Sequence, residues 1–133
     1  MTKPEHIFVL RKLELEGKVN IYLLIMDSVC EYDQFESLIN AESTWAKQLH
    51  KIQTRLLYVA MPALLPNDKF RDITPKGDSV KEFEIKTENL RVYLIMIEPE
   101  GRLIVCAGKK TNQKKDIAHF RTIKRLYLES FKG

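Results

Sequence analysis

Cysteine is scarce in this chain, and its placement excludes two chemistries. Cys30 and Cys106 are the only two among 133 residues and stand far apart, in no CxxC or metal-ligand spacing. They read as two buried thiols of a reducing compartment, not as a disulfide framework or a zinc site. Long apolar runs are missing as well. None reaches the roughly 18 residues that a membrane helix needs. The opening MTKPEHIF has no basic segment leading into an apolar one, so no secretory signal is expected. A cytoplasmic chain without membrane contact is the expectation. Familiar catalytic motifs are absent too: HExxH, GxxxxGK[ST], GxSxG and GxGxxG do not occur. His6, His50 and His119 are widely separated, so neither a metal nor another cofactor is expected.

What is present suits one folded domain spanning 1–133. An apolar share of 44% and a charged share of 30% are ordinary for a chain with a core. The net charge of +4 is modest but unevenly spread. From Lys109 onward, eight basic residues face two acids and leave +6, whereas residues 1–108 hold 14 basic and 16 acidic groups and leave −2. A cationic tail of this kind is a candidate polyanion contact, or simply a solvated helix face.

The stretch Ser79–Lys115 organises the rest. Phe83, Ile85 and Thr87 alternate with Glu82, Glu84 and Lys86, which is strand period. A turn at Glu88-Asn89 leads into Leu90–Ile97, rich in β-branched and aromatic residues, and Pro99-Glu100-Gly101 leads into Leu103–Ala107. A three-stranded antiparallel meander is expected. Before it, His6–Leu15 and Val19–Met26 suggest two strands or a hairpin closed at Glu16-Gly17-Lys18. Phe35, Leu38, Ile39, Trp45, Leu49, Ile52 and Leu56 follow helical spacing, so one helix or a helical hairpin is expected over 33–60, with Asp33 as N-cap. The patch NAESTW (40–45) offers a break. Pro62 and Pro66 open an irregular connector. After the meander, Ile117, Phe120, Ile123, Tyr127 and Phe131 form a helical stripe over 114–131.

One basic constellation emerges. In a hairpin turning near Pro99-Gly101, residue numbers summing to about 200 pair, which would set Arg91 opposite Lys109 at one sheet end. Lys110 follows, and His119 and Arg121 lie on the next helix. Arg91 alone also reads as a sheet-edge ion pair to Glu84 or Glu88, and Lys109-Lys110 as a charged strand exit. Together they suit RNA cleavage without metal. RNA carries its own nucleophile, the 2′-OH. Arginine grips phosphate bidentately, lysine adds point charge, and histidine moves protons.

At this point the chain resembles the RelE/ParE toxin superfamily, in particular its RelE- and HigB-like mRNA interferases. The resemblance runs from about Asp33 to Leu128. It rests on Phe83-Glu84-Ile85-Lys86, on Leu90-Arg91-Val92-Tyr93, and on Gly108-Lys109-Lys110-Thr111-Asn112-Gln113-Lys114, followed by Asp116 and a helix. It implies an α+β fold: a twisted antiparallel sheet packed against two or three helices, here with an additional N-terminal strand or hairpin. It implies a toxin that cuts mRNA on the ribosome and is masked by a cognate antitoxin. Arg91, Lys109, Lys110 and His119 would be the catalytic candidates, and Lys86, Lys114, Lys115, Arg121 and Lys124 the RNA-binding ones. Glu82 and Glu84 stand where RelE-like members carry lysines. A gyrase-inhibiting ParE-like member and a non-catalytic nucleic-acid- or protein-binding member of the fold therefore stay open.

Overall fold

The computed structural model describes residues 5–15, 19–60, 69–97 and 101–132. The expected turn at Glu16-Gly17-Lys18, the prolines Pro62 and Pro66, and Pro99-Glu100 lie outside them. The elements run β1 (Phe8–Lys12), β2 (Asn20–Met26), α1 (Glu31–Asn40), α2 (Ala46–Ala60), β3 (Phe70–Asp72), β4 (Glu82–Lys86), β5 (Leu90–Ile97), β6 (Gly101–Lys109) and α3 (Gln113–Glu129). The fold is α+β. One six-stranded sheet has the order β1-β2-β6-β5-β4-β3.

β3, three residues long, pairs antiparallel with β4 where an irregular connector is expected. The expected antiparallel pairing holds for β1–β2 and along β4–β5–β6. It fails at β2–β6, which is parallel, so the sheet is mixed. A parallel neighbour needs a long crossover, and the chain from α1 through β5 supplies it.

Helices cover both faces. On one, Tyr32, Phe35 and Ile39 of α1 and Leu49, Ile52, Leu56 and Val59 of α2 pack on Ile21, Leu23, Ile85, Leu90, Val92, Leu94 and Ile104. On the other, Phe120, Ile123 and Tyr127 of α3 pack on Leu24, Tyr93, Ile95, Leu103, Val105 and Cys106. This explains the apolar run that follows Arg91 in β5: a central strand buried on both faces has no solvent side to mark with polar residues. Each fully buried aliphatic chain in these layers contributes about 1.5–3 kcal/mol.

One local expectation needs correction. Asp33 does not cap α1. Cys30 is the N-cap and makes no side-chain cap bond, while Asp33 sits in the first turn. There Asp33 accepts from Arg11 Nη2 at 2.6 Å, which ties α1 to β1. The helical region does break where NAESTW allows it, at a 3₁₀ turn Ser43–Trp45 ahead of α2.

Candidate nucleic-acid interface

Strand register decides which cations meet. Toward their turn, β5 and β6 pair Ile97 with Gly101, Ile95 with Leu103 and Leu94 with Ile104. An irregularity between Tyr93 and Leu94 then leaves Val105 unmatched, and the outer half pairs Tyr93 with Cys106, Arg91 with Gly108 and Leu90 with Lys109. The expected Arg91–Lys109 pair is therefore off by one residue, and one residue reverses the face. Arg91 lies on the α3 face with Tyr93. Lys109 lies on the α1–α2 face with Leu90. The sheet separates the two.

Each is also engaged. Lys109 Nζ donates to Glu42 Oε1 at 3.1 Å and sits 4.4 Å above the Trp45 ring. Arg91 is 5% exposed. Its Nη1 donates to Thr87 O at 2.6 Å and Leu90 O at 2.8 Å, and its buried Nε has no acceptor. The ion pair to Glu84 or Glu88 does not form. Glu88 accepts from Lys51 at 2.9 Å, and Glu84 Oε2 accepts from Gln113 at 2.9 Å.

A different set of cations gathers at this sheet end. Lys86 closes β4, half-buried, on the α3 face opposite Ile85. Lys110, Lys114 and Lys115 are exposed on the turn into α3 and on its first turn. Lys110 N donates to Asn89 O at 2.7 Å, so this turn is anchored beside the start of β5. No ion pair joins Lys86, Lys110, Lys114 or Lys115 to another described residue. The N-terminus of a 17-residue helix adds partial positive charge here.

His119 borders the same turn. Its Nε2 lies 3.0 and 2.8 Å from the two carboxylate oxygens of Glu31. One helical turn back is Asp116. Burial pushes its carboxyl above the ordinary aspartate range, opposed by His119 and Lys115 and reinforced by Glu31. Asp116 packs directly on Gly108: a Cβ built there would overlap Asp116 Oδ2. Gly108 is the cross-strand partner of Arg91. A line Arg91–Gly108–Asp116–His119–Glu31 thus joins a fixed guanidinium to a carboxylate-held imidazole. Only the imidazole end of this line is exposed, so what it offers is proton transfer, with the buried guanidinium behind it.

Arg121 and Lys124 point elsewhere. Lys124 is 4% exposed. It donates to Asp78 Oδ2 at 2.8 Å, Val80 O at 2.8 Å and Glu82 Oε2 at 2.7 Å. Arg121 donates through Nε to Glu82 Oε1 at 3.0 Å and through Nη2 to Ile73 O at 2.8 Å. Both fasten the segment between β3 and β4 to α3, along a cleft of about 360 Å³ that also touches Pro75, Arg125 and Leu128. The sequence assigns them to RNA because they are basic and lie off the apolar stripe. The acids that hold them, Asp78 and Glu82, are distant in sequence.

Beneath α3, register builds a polar row that sequence reasoning missed: Arg71, Glu84, Tyr93 and Cys106, one residue from each of four neighbouring strands. Arg71 Nη2 is 3.1 Å from Glu84 Oε1, in charge contact but not aligned as a hydrogen bond. The Tyr93 hydroxyl is buried without a partner. Burial first, then Glu84, Asp116 and Cys106, push its pKa up. Asp116 and His119 could have been noticed in sequence as an i, i+3 pair on one helical face. The row needed the register. No protein-family model, curated protein or solved structure matches this chain.

Proposed function

We propose that this chain is the toxin of a type II toxin–antitoxin module. In this reading it has a RelE-like fold and acts in the cytoplasm as a metal-independent endonuclease on ribosome-bound mRNA. One observation carries it: Lys86, Lys110, Lys114 and Lys115 crowd one sheet end, without ion pairs to described residues, beside Arg91 and the His119–Glu31 pair. The order helical segment, connector, three-strand meander, basic turn and helix supports it as well.

The chemistry asks little of the protein. The 2′-oxygen attacks the adjacent phosphorus, and the bond to the 5′-oxygen breaks. A 2′,3′-cyclic phosphate and a free 5′-hydroxyl result. His119 accepts the 2′-OH proton or supplies the proton the 5′-oxygen takes up, with Glu31 holding the ring. Lys110 and Lys114 offset charge on the phosphoryl oxygens. Arg91, buried and held by two carbonyls, contributes fixed positive charge beneath the site and not a direct contact to the phosphate. A cognate antitoxin would mask this end.

A second reading, RNA binding without cleavage, is favoured by the separation of Arg91 from Lys109 across the sheet. Induced expression with primer-extension mapping tests the choice. Wild type is expected to arrest growth and cut within translated codons. Lys110→Ala/Lys114→Ala and His119→Ala, all at exposed positions, are expected to fold and lose the cuts. Salt-dependent RNA binding without cuts would move the weight to the binding reading. No arrest and no RNA binding by soluble, folded protein would sink both.

A further inference from the structure

β1 is the outermost strand on its side of the sheet, and no described residue pairs with its far edge. Its inward backbone bonds are identifiable. Asp27 N donates to Ile7 O at 2.8 Å, and Leu13 N donates to Ile21 O at 2.8 Å. Alternation along an antiparallel pair then turns the backbone groups of Phe8, Leu10 and Lys12 outward.

Exposed apolar side chains collect around this open edge. Ile7 is 67% exposed and Val9 51%, on the face where Arg11 meets α1. Val29 bonds back to Met26, the partner of Phe8, and is 43% exposed. On the other face Phe131, 69% exposed, packs edge-on against Tyr127, which meets Phe8 in the same way. Natural sheets usually blunt such an edge with charge, proline or a bulge; β1 carries its cations, Arg11 and Lys12, only at its C-terminal end, and residues 7–10 hold none. The opposite edge conforms, since β3 is only Phe70-Arg71-Asp72.

We propose that β1 is the seat of a second copy of this chain, the two β1 strands pairing antiparallel about a two-fold axis. The argument for a second copy is self-complementarity. A two-fold axis through the sheet keeps its faces, so residues of like facing must meet. Centred on Phe8, the pairing sets Ile7 against the partner's Val9 and Glu5 against the partner's Arg11, each twice. The Ile7–Val9 contact falls at a non-hydrogen-bonded position, where opposed side chains are closest. Centring on Val9 would instead set Ile7 against the partner's Arg11, and centring on Leu10 would set Val9 there. Only the Phe8-centred register joins apolar to apolar and acid to base. The charged β3 edge keeps the assembly closed at two copies.

Sedimentation of the full chain, without RNA, tests this independently of any toxin activity. Over about two decades of micromolar concentration the mass is expected to rise from 15.6 kDa toward twice that value. Val9→Lys is expected to abolish the rise. In a Cys30→Ser background, oxidised Ile7→Cys/Val9→Cys should run as a disulfide-linked dimer. Val9→Cys alone should not, because in this register the two copies of position 9 are not opposed. A constant 15.6 kDa at every concentration overturns the proposal. So does a dimer that survives Val9→Lys and fails to form the Ile7–Val9 cross-link.

Discussion

Replacing Lys124 with alanine separates a structural lysine from an RNA-binding one. Lys124 is 4% exposed, and three acceptors at 2.7–2.8 Å surround its ammonium. Its loss leaves Glu82, itself 1% exposed, with Arg121 as its remaining cation. Deleting one partner of a buried pair costs about 3–5 kcal/mol, because the other charge stays desolvated. Asp78 is a third exposed and adds little. In a chain of this length that corresponds to a Tm lowered by roughly 11–18 °C. The acid limb should change as well. The Lys124 hydrogen bond is the first cause holding the Asp78 carboxyl below its usual range. A depressed carboxyl contributes stability above the ordinary aspartate pKa and loses it as pH falls through the lowered value. Lys124→Ala should therefore lose less stability than wild type on acidification across that window. Urea unfolding at neutral and acid pH, beside RNA binding, is the assay. A variant within about 1 kcal/mol of wild type at neutral pH, yet weakened in RNA binding, would refute the buried-tie account.

Asp116→Asn should stabilise the fold at neutral pH. A carboxyl whose pKa is raised by burial disfavours folding once ionised, so wild-type stability falls as pH climbs from the ordinary aspartate value through the raised one. The advantage of the variant should vanish below the ordinary value, where the group is protonated in both states. A destabilised variant at neutral pH in urea melts contradicts this. Tyr93→Phe removes a buried hydroxyl that has no partner and should raise stability by about 1–2 kcal/mol. A loss measured by denaturant titration would mean the hydroxyl has a partner after all. A gain in stability with a loss of RNA cleavage would mark the phenol as functional.

The elements were largely legible because their periods are. β5 and β6 read from β-branched runs, α3 from its stripe at Ile117, Phe120, Ile123 and Tyr127, and the helix break from the NAESTW patch. What escaped was mostly long-range, the Asp33 cap and the three-residue β3 aside. The parallel β2–β6 pair leaves no local mark, since a strand does not encode which neighbour it takes. The irregularity at Tyr93/Leu94 is invisible in a run of apolar residues, yet it sets which face Arg91 and Lys109 occupy.

Charge shows the same limit and also indicates where the interface belongs. Sequence counts Lys109, Arg121 and Lys124 alongside Lys110, Lys114 and Lys115, because a lysine's partner is not visible in its own neighbourhood. Glu42, Glu82 and Asp78 neutralise the first three from distant segments, while the second three keep no ion pair to a described residue. The +6 tail is thus not one polycationic face along α3. Its uncommitted charge is concentrated at the helix's first turn, where Lys86 of β4 joins it from across the sheet. In the proposed reading, a polyanion meets that turn first. His119, one to two helical turns further along, is then the titratable side chain that a bound phosphate would find beside it.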